Sequence, residues 1–173
     1  MTWICNLKCY FCIGDIRKIA YIQTLAVMVK RRHTSLITLK KMRTNNLQNV
    51  QISDKALAWL KEKYLAVDAM DAEKYRAFLA PDCQLQFGNN PIVKCNNEII
   101  GGIKHFWETI NGLDHSFLNV LGNDYHFAAE ALIDYTRKDN QIVQTPCVTI
   151  IKRNEDGLAL SIQIFIDTTP IYK

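Results

Sequence analysis

The chain has 173 residues, of which 49% are hydrophobic, which suits one folded domain of about 100–150 residues with an additional segment. Its net charge of +4 is divided sharply: residues 1–53 hold nine Lys/Arg and one acid, a net +8, whereas residues 54–173 hold 12 Lys/Arg and 16 acids, a net −4. Because the larger part is acidic, the overall charge gives no argument for nucleic-acid binding, and we predict no nucleic-acid partner.

The chain begins with the string "CNLKCYFC", in which Cys5, Cys9 and Cys12 have the spacing of a radical SAM iron–sulfur motif. Such an enzyme needs a barrel around the cluster and a glycine-rich stretch for its cofactor, and neither follows. A zinc site would need a fourth ligand, and His33 is the only histidine nearby. We therefore interpret the string as fortuitous and predict no cofactor and no metal.

The apolar run "IAYIQTLAVMV" at residues 19–29 is shorter than the roughly 20 residues that span a bilayer. Its basic flanks fit an organelle-targeting leader slightly better than a signal peptide. Another interpretation is that Met42 is the true start, since a complete domain follows it. We predict that residues 1–52 form a basic extension, disordered or non-native, and that the protein has no membrane partner.

Three further cysteines, Cys83, Cys95 and Cys147, lie far apart and resemble ordinary small core residues. No disulfide pairing can be deduced from their positions. A reduced, cytoplasmic location is therefore the expectation.

The organised part begins at Ser53, a good N-cap, and apolar residues at helical spacing predict a helix over 54–69. Asp71 is predicted to cap a second, shorter helix that ends at Pro81. The alternating string "CQLQF" at residues 83–87 then predicts a strand with one buried face.

The turn string "GNNP" precedes a predicted short return strand at 92–93. Asn96 or Asn97 is predicted to cap a third helix. Gly101 and Gly102 lie inside this helix, where they lower helix propensity, so we expect them to allow close packing against another element.

The remainder of the chain has the pattern of β-structure. The strings "GND", "KDN" and "NEDG" are hairpin turns, so consecutive strands must be antiparallel. Pro146 indicates a bulge or an edge position. The fold class is thus α+β, with three helices packed on a curved antiparallel sheet that encloses an apolar cavity. The four predicted long strands are 115–121, 125–137, 141–153 and 158–169.

The element order and four strings, "FGNNPIV", "GIKHFWETINGLDHSF", "YTRKDN" and "FIDTTPIY", resemble the SnoaL-like branch of the nuclear-transport-factor-2-like (NTF2-like) superfamily. The resemblance covers residues 53–173 and implies a cone-shaped fold with a mostly apolar pocket. Members of the superfamily include polyketide cyclases, dehydratases, isomerases and epoxide hydrolases, as well as non-catalytic binding or assembly modules. The fold alone therefore does not select a function.

Chemistry in such a pocket requires an acid or base whose pKa is shifted by apolar surroundings. Asp167, His115 and Tyr135 are the predicted catalytic residues. Asp167 follows an apolar strand, although it could simply cap the strand end. His115 begins the first long strand, and Tyr135 lies on the apolar face of the second.

Aromatic side chains are predicted to line the pocket and bind the ligand, although some could simply be core. An epoxide-hydrolase function is disfavoured because the strand "AEALID" lacks the required arginine. The predicted ligand-binding residues are Tyr64, Phe87, Phe106, Trp107 and Phe165.

We therefore expect a domain that binds a small apolar or aromatic molecule and possesses, if it is an enzyme, cofactor-free acid–base chemistry. The reaction would be isomerisation, dehydration, cyclisation or hydrolysis. The alternative is a non-catalytic ligand-binding or protein-assembly module, and the sequence leaves this choice open. The resemblance also implies a homodimer formed through the outer face of the sheet.

Overall fold

The structure is a computed structural model that describes residues 43–45 and 47–173, with only the backbone described for residues 48–50. The predictions for Cys5, Cys9, Cys12, the apolar run at 19–29 and Met42 lie outside the described residues.

The described chain is an α+β domain, as predicted, in which helices cover one face of a curved sheet. The helices bury their apolar residues against the sheet in one continuous core. The α-helices are α1 (Asp54–Asp68), α2 (Ala72–Arg76) and α3 (Asn96–Trp107), and a 3₁₀-helix occupies Thr169–Tyr172.

Seven strands form the sheet in the order β1-β4-β5-β6-β7-β2-β3. The four long strands β4 to β7 are consecutive and antiparallel, as predicted. The pairings β1–β4 and β2–β7 are parallel, so the sheet is mixed and not antiparallel throughout. The strands are β1 (Gln48–Val50), β2 (Leu79–Phe87), β3 (Val93–Lys94), β4 (Gly112–Asn123), β5 (His126–Thr136), β6 (Ile142–Arg153) and β7 (Ala159–Ile166).

The helix starts follow the predicted caps at two of three positions. The Ser53 side chain accepts from the Ala56 amide at 3.2 Å, and Asp71 likewise caps α2. The prediction for α3 was wrong, because its N-cap is Cys95, which makes no side-chain cap hydrogen bond. A left-handed backbone at Cys95, with φ of 71°, turns the chain into the helix and replaces the expected asparagine cap.

Both ends of α1 are attached to β4 or to the turn after it. At the start of the helix, Asp124 accepts from the Ser53 amide at 2.8 Å and from the Ser53 hydroxyl at 2.6 Å. At its end, the carboxylate of Asp68 binds His115. Contacts at both ends of α1 therefore fix its position relative to β4.

The sheet extends into the segment that the sequence analysis assigned to the N-terminal extension. Strand β1 pairs with β4, and Arg43 lies beside the same strand. The Arg43 amide donates to the carbonyl of His115 at 3.3 Å, and the Phe117 amide donates to the Arg43 carbonyl at 3.2 Å. The Arg43 guanidinium also forms an ion pair with Asp134. Residues before Ser53 therefore cover the edge of β4.

Gly101 and Gly102 do not serve close packing, so that expectation was wrong. A Cβ atom built at either position has no other heavy atom within 4 Å, and both residues are exposed. The space beside both glycines is therefore open.

The alternation predicted for the second long strand is confirmed in β5. The odd-numbered residues from Phe127 to Tyr135 are buried, whereas Glu130 on the opposite face is exposed. Pro146 in β6 pairs with Leu132 of β5 but lies one residue beyond the last β6–β7 pair, Cys147 with Ile166. Its missing N–H is therefore tolerated at a locally open edge, as predicted.

Candidate functional site

An apolar cavity of about 60 Å³ lies between the helices and the concave face of the sheet. This volume is several times the roughly 10–15 Å³ that one water molecule requires. We call it the inner cavity. It is lined by Lys63, Tyr64, Val67, Tyr75, Phe87, Ile103, Phe106, Trp107, Leu113, His115, Ile133, Tyr135, Cys147, Thr149 and Ile164.

A buried histidine–aspartate pair contributes its histidine, His115, to the lining of the inner cavity. The Nδ1 atom of His115 lies 2.5 Å from Oδ1 of Asp68, and the other carboxylate oxygen accepts from the backbone amide of His115 at 3.2 Å. His115 is 6% exposed and Asp68 is 1% exposed. One carboxylate from α1 thus holds both the ring and the backbone of a residue on β4.

This geometry determines which ring nitrogen can react. An ionised carboxylate only accepts hydrogen bonds, so the proton between Asp68 and His115 belongs to Nδ1. The Nε2 atom then carries the lone pair. His115 consequently has the arrangement of a general base whose tautomer and orientation are fixed by a carboxylate.

Aromatic rings surround the His115 imidazole. The Tyr64 ring centre lies 4.6 Å from it and the Phe117 ring centre 5.9 Å from it. Burial raises the pKa of the Tyr64 hydroxyl and that of the Tyr135 hydroxyl well above the usual range. Both hydroxyls therefore stay protonated and can donate hydrogen bonds at physiological pH.

A buried lysine enters the same cavity from α1. Lys63 is 2% exposed, and its Nζ atom lies 4.0 Å from the ring centre of Tyr64 and 5.1 Å from that of Tyr75. Desolvation lowers the pKa of Lys63 from 10.5 to about 7, against weaker opposing effects of nearby acidic groups. A substantial fraction of this amine is thus neutral at physiological pH.

A second, larger cavity of about 340 Å³ adjoins the first, and we call it the outer cavity. Its volume is at the lower end of the range for small-molecule sites. Phe87, Ile103 and Phe106 line both cavities, so these side chains form the wall between them. The rings of Phe87 and Phe106 lie 5.3 Å apart in this wall. The outer cavity also contacts Gly102 and the 3₁₀-helix residue Tyr172.

No protein-family model and no curated protein sequence matches the chain. Solved structures do match its fold. An NTF2-like protein of unknown function from Burkholderia pseudomallei superposes with a TM-score of 0.61 at 17% identity, over 69% of this chain and 95% of that one. The chain has the NTF2-like fold.

Two other neighbours of this NTF2-like domain are described as enzymes. A protein from Jannaschia sp. CCS1 that is named provisionally as a SnoaL-like polyketide cyclase superposes with a TM-score of 0.55 at 17% identity. The match covers 66% of this chain and 90% of that one. An LEH-like epoxide hydrolase of M. tuberculosis superposes with a TM-score of 0.57 at 10% identity, over 68% of this chain and 86% of that one. At these identities the likeness concerns the fold alone.

Most residues predicted for the site line the inner cavity of the NTF2-like cone. The structure brings together His115 and Tyr135 from the predicted catalytic set. The predicted ligand-binding residues that line the inner cavity are Tyr64, Phe87, Phe106 and Trp107.

Asp167 and Phe165 lie elsewhere. Asp167 is exposed and accepts from the Thr169 amide at 2.9 Å, and hydrogen bonds from Thr169 lower its pKa. It thus takes the alternative role of an acid at the end of a strand, and the structure does not bring it to His115 and Tyr135. Phe165 is 49% exposed and pairs with the exposed Val148, so it lies on the outer face of the sheet. Neither residue lines the inner cavity.

Two polar residues of the site were missed by the sequence analysis, Lys63 and Asp68. Both belong to the predicted first helix, where the apolar residues Leu60, Tyr64 and Val67 defined the buried face. On a helix, Lys63 is adjacent to Leu60 and Val67, three and four residues away. A charged residue on an apolar stripe was therefore a signal that could have identified it.

Within residues 47–173, no group of three or more His, Cys, Asp or Glu side chains could hold a metal ion. None of the helices in this same part of the chain is long and apolar enough to cross a bilayer.

Proposed function

We propose that this domain binds a small apolar or aromatic molecule and carries out acid–base chemistry on it, in the manner of SnoaL-like cyclases, dehydratases and isomerases. The observation that supports this most strongly is the Asp68–His115 pair, buried at the wall of an apolar cavity.

The proposed chemistry begins with proton removal by His115. Nε2 accepts a proton from carbon or oxygen of the substrate, and Asp68 stabilises the imidazolium that forms. Tyr135, kept protonated by burial, donates a hydrogen bond to the oxygen that gains negative charge. The same imidazolium then returns the proton at another atom, which completes an isomerisation or a dehydration without net change at the protein.

The two adjoining cavities support a binding route for this substrate. The outer cavity has space for an aromatic ring system, and the inner cavity receives only the reacting part. In this arrangement the substrate reaches His115 by passing between Phe87, Ile103 and Phe106, so these side chains must move apart when it enters. The ligand-binding role of Phe106 follows from this position between the two spaces.

Deuterium exchange into 2-tetralone, followed by proton NMR, tests the proposal directly. Its benzylic C–H beside a ketone is acidic enough for a single general base to exchange. Wild-type protein is expected to accelerate exchange, and His115→Gln to reduce the protein-dependent rate by about 10²–10⁴-fold. The exposed residue His126 provides the matched control, because His126→Gln leaves the cavity unchanged. Equal rates for wild type and His115→Gln would contradict the proposal.

One observation favours the second candidate, a non-catalytic ligand-binding or assembly module. The inner cavity of about 60 Å³ is too small for a whole aromatic substrate. If the domain is a non-catalytic module, 2-tetralone binds in the outer cavity and raises the thermal unfolding temperature, but the protein causes no His115-dependent exchange. The two measurements together separate the candidates.

We also propose that the protein forms a homodimer through the outer face of the sheet. This face presents Leu121, Val148 and Phe165, which are 55%, 37% and 49% exposed. Light scattering on the purified protein tests this, and Phe165→Glu is expected to shift the mass to that of a monomer. The free cysteines Cys83 and Cys147 accord with the further proposal of a reducing, cytoplasmic location, which a fluorescent fusion would test.

A further inference from the structure

We propose that the Lys63 amine is a second reactive group of the inner cavity and that it forms a reversible imine with an aldehyde or ketone ligand. This inference rests on the proposed function for its setting and names the substrate class as carbonyl compounds. The argument depends on the surroundings of Nζ.

The surroundings of Lys63 lack the partner that a buried lysine normally has. Buried ammonium groups are usually paired with a carboxylate, because an unpaired charge in an apolar environment is costly. The ion pairs and hydrogen bonds found among residues 47–173 include none from Nζ, which lies 4.0 Å from the ring centre of Tyr64 and 5.1 Å from that of Tyr75. Because Lys63 also lines the inner cavity, the amine faces an internal space.

The groups that face Lys63 from neighbouring elements favour a neutral amine. Cys83 on β2 and Cys147 on β6 have thiol pKa values raised by burial, to about 11 for Cys83, so both stay neutral. Tyr75 on α2 also stays protonated, since burial raises its pKa. Among the described residues, Asp68 is the only carboxylate that raises the pKa of Lys63, and it raises this pKa by less than desolvation lowers it. A neutral amine is the nucleophilic form of lysine.

Other polar groups needed for imine formation line the same cavity. The Tyr64 ring lies close to both groups: the Lys63 Nζ atom is 4.0 Å and the His115 ring centre 4.6 Å from the Tyr64 ring centre. Thr149 lines the same cavity and adds a hydroxyl to its wall. Amine, imidazole and hydroxyl groups therefore surround the space where a carbonyl group would enter.

The proposed step is balanced without a further reactant. The Lys63 nitrogen forms a bond to the carbonyl carbon, and the carbonyl π electrons become a lone pair on oxygen. Proton transfer from nitrogen to that oxygen gives a carbinolamine, and loss of one water leaves the C=N bond. Protonation of the imine makes the adjacent C–H more acidic, which assists proton removal by His115. Hydrolysis by one water releases the ligand and restores the amine.

Reductive trapping on the full-length protein tests this inference. Acetaldehyde and sodium cyanoborohydride are added at pH 7, and peptide mass spectrometry follows the ethylation of each lysine with time. An amine with a pKa near 7 has a neutral fraction on the order of a thousand-fold larger than an ordinary lysine at this pH. Lys63 is therefore expected to react at least ten-fold faster than the exposed Lys55 on the same helix, even after a reduction for restricted access.

The pH profile excludes labelling through unfolding. A lysine that reacts only when the chain opens has an ordinary pKa, so its rate follows that of Lys55 at every pH. The Lys63 rate is instead expected to level off above pH 7 to 8. Ethylation of Lys63 no faster than that of Lys55 would overturn the inference.

The same experiment separates this inference from the proposed function. Lys63 labelling in His115→Gln is expected to persist, because the amine does not need the base to attack acetaldehyde. His115-dependent exchange without fast Lys63 labelling leaves the proposed function intact and overturns the imine. Fast Lys63 labelling without His115-dependent exchange leaves the imine intact and overturns the proposed function.

Discussion

Replacement of Lys63 by methionine should change how the stability of the domain depends on pH. Methionine has a similar length and no charge, so Lys63→Met removes the buried amine with little loss of packing. The folded-state pKa of about 7 lies below the ordinary value of 10.5, so the folded protein binds fewer protons than the unfolded chain between these values. The stability cost of Lys63 is therefore fully present below pH 7 and is relieved as pH rises toward 10.5.

The magnitude follows from the same two values. Between pH 7 and pH 9 the wild-type free energy of unfolding gains about 2 kcal/mol from Lys63 alone. The variant lacks this gain, so its stability advantage over wild type is expected to shrink by about 2 kcal/mol across that interval. Titrating groups distant from Lys63 are present in both proteins and cancel in the difference.

Urea unfolding of both proteins at pH 7, 8 and 9, followed by circular dichroism, measures this difference. Lys55→Met on the exposed face of α1 is the matched control, and its advantage or cost should not vary with pH. If the difference between Lys63→Met and wild type stays constant from pH 7 to pH 9, the Lys63 pKa is not lowered and the reasoning fails.

Three further outcomes are expected. Asp68→Asn should lower the His115-dependent exchange rate of 2-tetralone by about 10²–10⁴-fold, since an amide neither fixes the tautomer of His115 nor stabilises its imidazolium. An unchanged rate would show that Asp68 has no part in the mechanism. Phe106→Ala should join the two cavities and therefore raise the rate of 2-tetralone exchange. The lost packing should lower the free energy of unfolding by roughly 2–3 kcal/mol. An exchange rate that does not rise would show that Phe106 is no barrier to the substrate. Gly101→Ala should stabilise the domain by about 0.5–1 kcal/mol, because the space beside Gly101 is open. Gly122→Ala should destabilise the domain by about 3 kcal/mol or more, because a Cβ atom there would lie 2.4 Å from the His126 carbonyl oxygen. Equal effects of the two substitutions in urea unfolding would contradict this contrast.

Local patterns predicted most elements, although α2 ends at Arg76 and Pro81, predicted to end it, lies within β2. The caps at Ser53 and Asp71 and the alternation along β5 depend on interactions within a few residues, so the sequence shows them directly. The pairing of β2 with β7 joins residues about 75 positions apart, and that of β1 with β4 about 70 apart, so no turn signal marks them. The mixed character of the sheet was missed for this reason.

The site was predicted in its aromatic residues and missed in its charges. Tyr64, Phe106 and Tyr135 lie on apolar faces that the periodicity identifies. The partner of His115 could not be deduced, because Asp68 stands at the last position of a helix, where an acid usually meets solvent. Asp167 was favoured because a strand end in a cone can face the mouth, but the chain turns there into the 3₁₀-helix and exposes it.

The contacts at both ends of α1 determine how the cavity wall can move. With Ser53 held by Asp124 and Asp68 holding His115, the first helix cannot slide or tilt without breaking a contact at one end. Helix α3 is attached in a different way: the Cys95 amide at its N-cap donates to the Cys83 carbonyl of β2 at 3.0 Å, and Lys104 forms an exposed ion pair with Glu73 of α2. With α1 held at both ends, Lys63 and Asp68 keep their mutual spacing when a ligand enters, and any expansion of the cavity has to come from its other walls.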